Sequence, residues 1–157
     1  MTQPPSDSVK HRTRASYTYF LTYRTRWSDN DQYSHMNNSI YYHLFDSIVN
    51  TYLIERCGLD PGSQQGKGNI GLVVESHCQF FSPISFPDVV DLGLRVTKLG
   101  TSSVSYEVGV FLTGKEGVAA VGGYTHVFVD RESRKSVRID GEMRNGLNGL
   151  YTPTPKL

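Results

Sequence analysis

Cysteine is nearly missing from this chain: Cys57 and Cys78 are its only two in 157 residues. Two thiols give no disulfide framework at this size, so a reducing compartment is expected. Neither CxxC nor HxxxH spacing occurs among Cys57, Cys78, His35, His43, His77 and His126, which excludes the familiar metal-ligand patterns. Charge of one sign is also missing. Sixteen Lys and Arg against fifteen Asp and Glu leave a net +1, so nucleic acid is given no electrostatic handle. No apolar run approaches the roughly 18 residues of a membrane-spanning helix. No Gly-rich phosphate loop leads from a strand into a helix, and no cofactor is expected. The opening MTQPPSDSVKHRTRASY lacks the apolar core of a secretory signal. A cytoplasmic protein is expected, with a mitochondrial one as the alternative because this stretch is basic and rich in Ser and Thr.

What is present describes one globular domain, with 38% hydrophobic and 20% charged residues. Residues 1–16, polar and interrupted by Pro4-Pro5, read as a disordered arm. Residues 17–150 form the domain, and 151–157 a C-terminal tail. Tyr17–Trp27 reads as a strand. From Ser39 to about Arg56, Ile40, Leu44, Ile48 and Tyr52 recur every fourth residue, widened by Phe45, Val49 and Leu53. That is an amphipathic helix, capped by Asn37, Asn38 or Ser39 and stopped at Gly58. A flexible loop runs from Asp60 to Gly68. Four strands follow, over Leu72–Phe81, Val89–Leu99, Ser103–Leu112 and Val118–Asp130, with a short helix or coil near 141–150. Short Gly turns between strands require antiparallel pairing. One helix covering one face of such a sheet is an α+β domain. The other face still carries Tyr, Val and Phe, which suggests pairing with another copy. Gly122-Gly123, inside a strand, reads as close packing or a bulge.

The stretch WSDNDQYSHMNNSIYY crowds two acids, a histidine and two asparagines before the helix. Turn preference accounts for Asp29 and capping for the asparagines. Asp31 is either a turn acid or a catalytic one, and His35 either lines a pocket or completes the turn. In the strand that follows the helix, Glu75 alternates onto one face with Val73 and His77. It faces solvent or orients water.

RWSDNDQYSHMNNSIYYHLFD, VVESHCQFFSPISFPDVVDLGLRVTKLGTSSVSYEVGVF and GGYTHVFVD together resemble the hotdog-fold acyl-CoA thioesterases, in their 4-hydroxybenzoyl-CoA thioesterase-like branch. The resemblance runs from Tyr19 to about Arg144. It implies an antiparallel sheet of about five strands wrapped around one long central helix, and hydrolysis of an acyl-CoA thioester to free acid and CoA. Asp31 matches the family's catalytic carboxylate, acting as nucleophile or general base. The N–H groups near Asn38 match the donors that polarise the carbonyl. Many relatives have Gly where Ser34 stands. His35, Asn37, Asp46 and Glu75 are candidate substrate-binding residues, Asp46 because another branch takes its acid from the helix. Arg95, Lys98 and Arg131 are candidates for the CoA phosphates. A homodimer or homotetramer is implied, with the acyl chain along the helix at the subunit boundary. Two rivals share the scaffold: a non-catalytic acyl-thioester binder, and a hotdog dehydratase. The Met36-Asn37-Asn38 that follows His35 does not match the dehydratase pattern.

Overall fold

The computed structural model describes residues 8–62 and 68–152. Most of the loop expected between Asp60 and Gly68 lies outside the described residues. The elements are β1 (Tyr19–Arg24), α1 (Asn38–Arg56), β2 (Asn69–Phe80), β3 (Val89–Leu99), β4 (Ser103–Leu112), β5 (Ala120–Asp130) and α2 (Gly141–Asn148).

The helix forms where its stripe predicts. Asn37 caps it, with Oδ1 accepting the Ser39 N–H at 3.0 Å. Gly58, at φ +72°, ends it in the left-handed region that glycine tolerates. The stripe Tyr41, Leu44, Phe45, Ile48, Val49, Tyr52 and Leu53 is buried against one face of the sheet. That face is built from every second residue of the central strands. Val90, Leu92, Leu94 and Val96 come from β3, and Val104, Tyr106, Val108 and Val110 from β4. Gly122 of β5 lies under the helix, where an added Cβ would meet the Phe45 ring at 2.7 Å. Close packing therefore explains the glycine.

All five strands pair antiparallel, in the order β1-β3-β4-β5-β2. Adjacent pairing holds for β3–β4 and β4–β5, as the Gly turns require. It fails for β2, which pairs with β5 at the far edge. The connection from β2 to β3 carries Ser82-Pro83 and Phe86-Pro87 and crosses the end of the sheet instead of turning tightly.

Two expectations need correction. First, β2 is irregular between Val73 and Glu75, so Val73 pairs with His126 and Glu75 with Thr125. His126 faces the helix side, so Val73 and Glu75 lie on opposite faces; the bulge at Val74 breaks the alternation. Second, the outer face is not left bare. Residues from Ser8 onward, read as part of a disordered arm, make two 3-10 turns, Val9–His11 and Arg14–Ser16, and lie across it. Tyr17 packs there with Phe111, Val118 and Val121. No helix among the described residues is long and apolar enough to cross a membrane.

Candidate active site

The polar stretch folds from both ends. Trp27–Asp29 is a 3-10 turn that buries Asp29 completely. Its carboxylate accepts the Tyr23 hydroxyl at 2.8 Å and the Arg26 N–H at 2.7 Å, and pairs with the Arg26 guanidinium at 3.1 Å. Burial works to raise its pKa, yet these hydrogen bonds win and hold the carboxyl below its ordinary value. Asp29 is therefore a structural anchor, as its turn reading anticipated.

Asp31 opens the next turn. Its N–H donates to the His35 carbonyl at 2.8 Å, and its Oδ1 accepts the N–H groups of Tyr33 at 2.8 Å and His35 at 3.4 Å. Among the described residues Oδ2 has no hydrogen-bond partner. The turn passes through Ser34 at φ +63°. That conformation costs a non-glycine residue about 1–2 kcal/mol, which explains the glycine of relatives. The crossover between β2 and β3 supports the strain. Ser85 Oγ donates to the Ser34 carbonyl at 2.6 Å, Phe86 N–H to Asn30 Oδ1 at 3.0 Å, and Met36 N–H to the Ile84 carbonyl at 2.6 Å.

The helix start leaves one donor over. Asn37 N–H is taken by the Asp29 carbonyl at 2.8 Å, Ser39 N–H by Asn37 Oδ1, and Ile40 N–H by the Asn37 carbonyl at 2.9 Å. Asn38 N–H has no acceptor among the described residues. It points out of a helix N-terminus, where the macrodipole adds partial positive charge. Capping accounts for the side chain of Asn37.

Residues of this segment line two clefts. One, of about 210 Å³, is lined by Trp27, Asn30, Asp31 and Ser34. The other, of about 280 Å³, is lined by His35, Asn38, Tyr41, Phe80 and Ile84, among others. Asp31 thus lines the first cleft and Asn38 the second, which it shares with His35. A larger cavity of about 320 Å³ surrounds Cys57, Arg131, Arg138 and Glu142. It lies at the other end of α1, whose 19 residues span roughly 28 Å.

The remaining candidates scatter. Glu75 is exposed at the β2 edge on the outer face, paired with His77 at 3.0 Å, away from the helix start. Arg95 is corrected: it is buried and engaged by Glu107 at 2.9 Å, so its guanidinium does not face a ligand in solvent. Lys98 is exposed on β3, and Arg131 lines the far cavity. Asp46 is exposed on α1 beside Tyr124 of β5. The Tyr124 hydroxyl is buried without a hydrogen-bond partner among the described residues. Burial first, then the Asp46 charge, push that phenol's pKa upward. Two features escaped the sequence reading. Nothing in the sequence sets Tyr124 apart from the other aromatics of its strand, and only its unpartnered oxygen marks it. Trp27, 83% exposed and edge-on to Phe86 at 5.7 Å, flanks the Asp31 cleft. Its signal was in view: the chain's single tryptophan stands four residues before Asp31. Among the described residues no three His, Cys, Asp or Glu side chains converge to hold a metal.

Comparison with known proteins places this geometry. Residues 25–147 match the model of the thioesterase-like superfamily. The PA5185 protein of Pseudomonas aeruginosa is 49% identical over 89% of this chain and 96% of that one, with a TM-score of 0.84. Two Staphylococcus aureus structures share the fold. SAV2348, solved in complex with CoA, is 15% identical over 97% of this chain and 92% of that one, at a TM-score of 0.77. A DHNA-CoA thioesterase is 18% identical over 77% and 80%, at 0.69. A search of curated proteins finds no match. The five-stranded sheet around one long helix is the hotdog fold, and this chain belongs to the thioesterase-like superfamily.

Proposed function

We propose that this protein hydrolyses acyl-CoA thioesters at the step between Asp31 and Asn38. The observation that carries the reading is a matched pair of unused groups. Among the described residues, Asp31 keeps Oδ2 free while Oδ1 is tied to the turn, and Asn38 keeps its N–H free at the helix start. A thioester carbonyl oxygen accepting the Asn38 N–H gains stabilisation as it becomes an oxyanion. Asp31 then works from the other side. Either it takes a proton from water as the water oxygen bonds to the carbonyl carbon, or it attacks that carbon itself and water cleaves the resulting anhydride. Both routes break the C–S bond, and the departing thiolate of CoA receives a proton. The acyl group would lie beside Tyr41 and Phe80, in the cleft that Asn38 shares.

Asp31→Asn tests this directly. The amide oxygen can keep the Tyr33 and His35 contacts, so the fold should persist by circular dichroism. Thiol release from a panel of acyl-CoA substrates should fall by roughly 10²–10⁴-fold. An unchanged rate would sink the assignment. Saturable acyl-CoA binding without thiol release by the wild type would instead mark a non-catalytic binder.

The same reading takes the protein to be a two-fold dimer. β2 is a 12-residue edge strand whose Leu72, Val73, Val74 and Phe80 are exposed. A long apolar edge is a template for pairing with a second copy.

A further inference from the structure

The Asp31 turn and the crossover between β2 and β3 meet at the Ser34 carbonyl. On the turn side, Ser34 N–H donates to the Asp31 carbonyl at 3.2 Å. The next residue, His35, holds Asp31 twice: its carbonyl accepts the Asp31 N–H, and its own N–H donates to Oδ1. Between them Ser34 stands at φ +63°, a conformation that its Cβ disfavours. On the crossover side, Ser85 Oγ donates to the Ser34 carbonyl at 2.6 Å, from 51 residues along the chain. Ser85 is itself fixed. Its N–H donates to Asp88 Oδ2 at 3.0 Å, and its carbonyl accepts the Asp88 N–H at 2.8 Å. The Asp88 carbonyl in turn accepts the N–H and the hydroxyl of buried Thr25, at 3.1 Å and 2.6 Å.

We propose that Ser85 is a positioning residue for Asp31, its hydroxyl holding the Ser34 turn in the conformation that presents the carboxylate. This role rests on Asp31 being the catalytic carboxylate. Ser85 lines neither the cleft of Asp31 nor that of Asn38, so it acts through the backbone and not on the substrate. The other two crossover bonds, at Asn30 and Met36, hold the ends of the segment. Among the described residues, Ser85 alone reaches the strained residue from the crossover. A serine at positive φ relaxes toward negative φ when nothing opposes it. Both His35 contacts to Asp31 move with that rotation, and a small displacement of a reacting group costs much of the rate. Glycine has no such bias, because without a Cβ it takes positive φ as readily as negative. The Ser85 hydroxyl and a glycine at position 34 therefore meet one requirement in two ways. The first opposes the strain, the second removes it, and either makes the other dispensable.

The test is a kinetic cycle of Ser85→Ala, Ser34→Gly and the double variant, with Asp31→Asn as reference. Each is made in the full chain and checked for folding by circular dichroism. Thiol release from an acyl-CoA that the wild type hydrolyses gives kcat and KM. Ser85→Ala should lower kcat about 5–10-fold and leave KM within about twofold, since the groups beside the acyl chain are untouched. Added to Ser34→Gly, the same substitution should lower kcat by less than about twofold. A serine that only stabilises the fold would cost the same in both backgrounds, so equal losses overturn the proposal. An unchanged kcat for Ser85→Ala in the otherwise wild-type chain also overturns it. If Asp31→Asn loses activity while Ser85→Ala does not, the positioning role falls alone; if Asp31→Asn keeps full activity, both readings fall. Should Ser85→Ala not fold, Ser85→Cys, a weaker donor, takes its place with the same outcomes.

Discussion

Lowering the pH from 7.5 to 5 should destabilise this protein through His126. The ring is buried on the helix side of β5, edge-on to Tyr124 at 4.7 Å and to Phe128 at 5.8 Å. Among the described residues its only hydrogen-bond partner is the Tyr106 hydroxyl, at 3.1 Å from Nδ1. Burial pushes the imidazole pKa down to about 4, against about 6.5 in the unfolded chain. The unfolded state therefore takes up a proton first as pH falls, and the folded state stays neutral. Stability is fully present above about pH 6.5 and drains away toward pH 4. Linkage between those two values gives a loss of about 2 kcal/mol from pH 7.5 to pH 5, rising to about 3 kcal/mol below both. The carboxyls of Asp29 and Glu107, held low by their hydrogen bonds, lose their contribution only below about pH 4. The window above pH 5 thus isolates the histidine from them. Urea unfolding at fixed protein concentration, repeated across this range, measures the loss. His126→Gln keeps a partner for Tyr106 and removes the titration, so its curve should flatten. A wild-type free energy that does not change, or a variant with the same slope, would refute the reasoning.

The docked arm and the open edge each yield a further test. Gly109→Ala drives a methyl into the Tyr17 ring and should cost about 1–3 kcal/mol, read as a lowered Tm with faster tryptic cleavage at Arg14. An unchanged Tm would mean the ring packs more loosely than the 2.5 Å approach of an added Cβ implies. Val74→Lys puts a charge on the exposed bulge of β2 and should convert the proposed dimer to monomer by sedimentation. A mass that stays put would move the interface elsewhere.

Several elements could be read from residue order alone. The four-residue stripe from Ile40 to Tyr52 set the helix, and the observed Asn38–Arg56 differs by one residue at its start. Alternation between Gly turns set β3 and β4 to their observed bounds. Both are local signals, because a side chain's face repeats every 3.6 or two residues whatever the rest of the chain does. Asp31 could be singled out for the same reason, from its place before a helix start.

Long-range pairing decided the rest. Nothing local in Leu72–Phe80 tells it to leave β3 for β5, and the bulge at Val74 is visible only against its partner strand. Arg95 looked available for phosphate until Glu107, 12 residues on, claimed it. The arm looked unstructured because its anchors lie 77 to 101 residues away. The crossover that read as a break in the strands supplies the donors of Ser85 and Phe86 and the accepting carbonyl of Ile84 that brace the strained Ser34 turn. The sequence by itself determined the helix, the core alternation and the chemistry at the helix entrance, because each depends on neighbours along the chain. Only the tertiary structure decided which oxygen of Asp31 and which N–H near Asn38 stay unused. A hydrogen-bonding group is free or spent according to what the whole fold brings within about 3 Å of it.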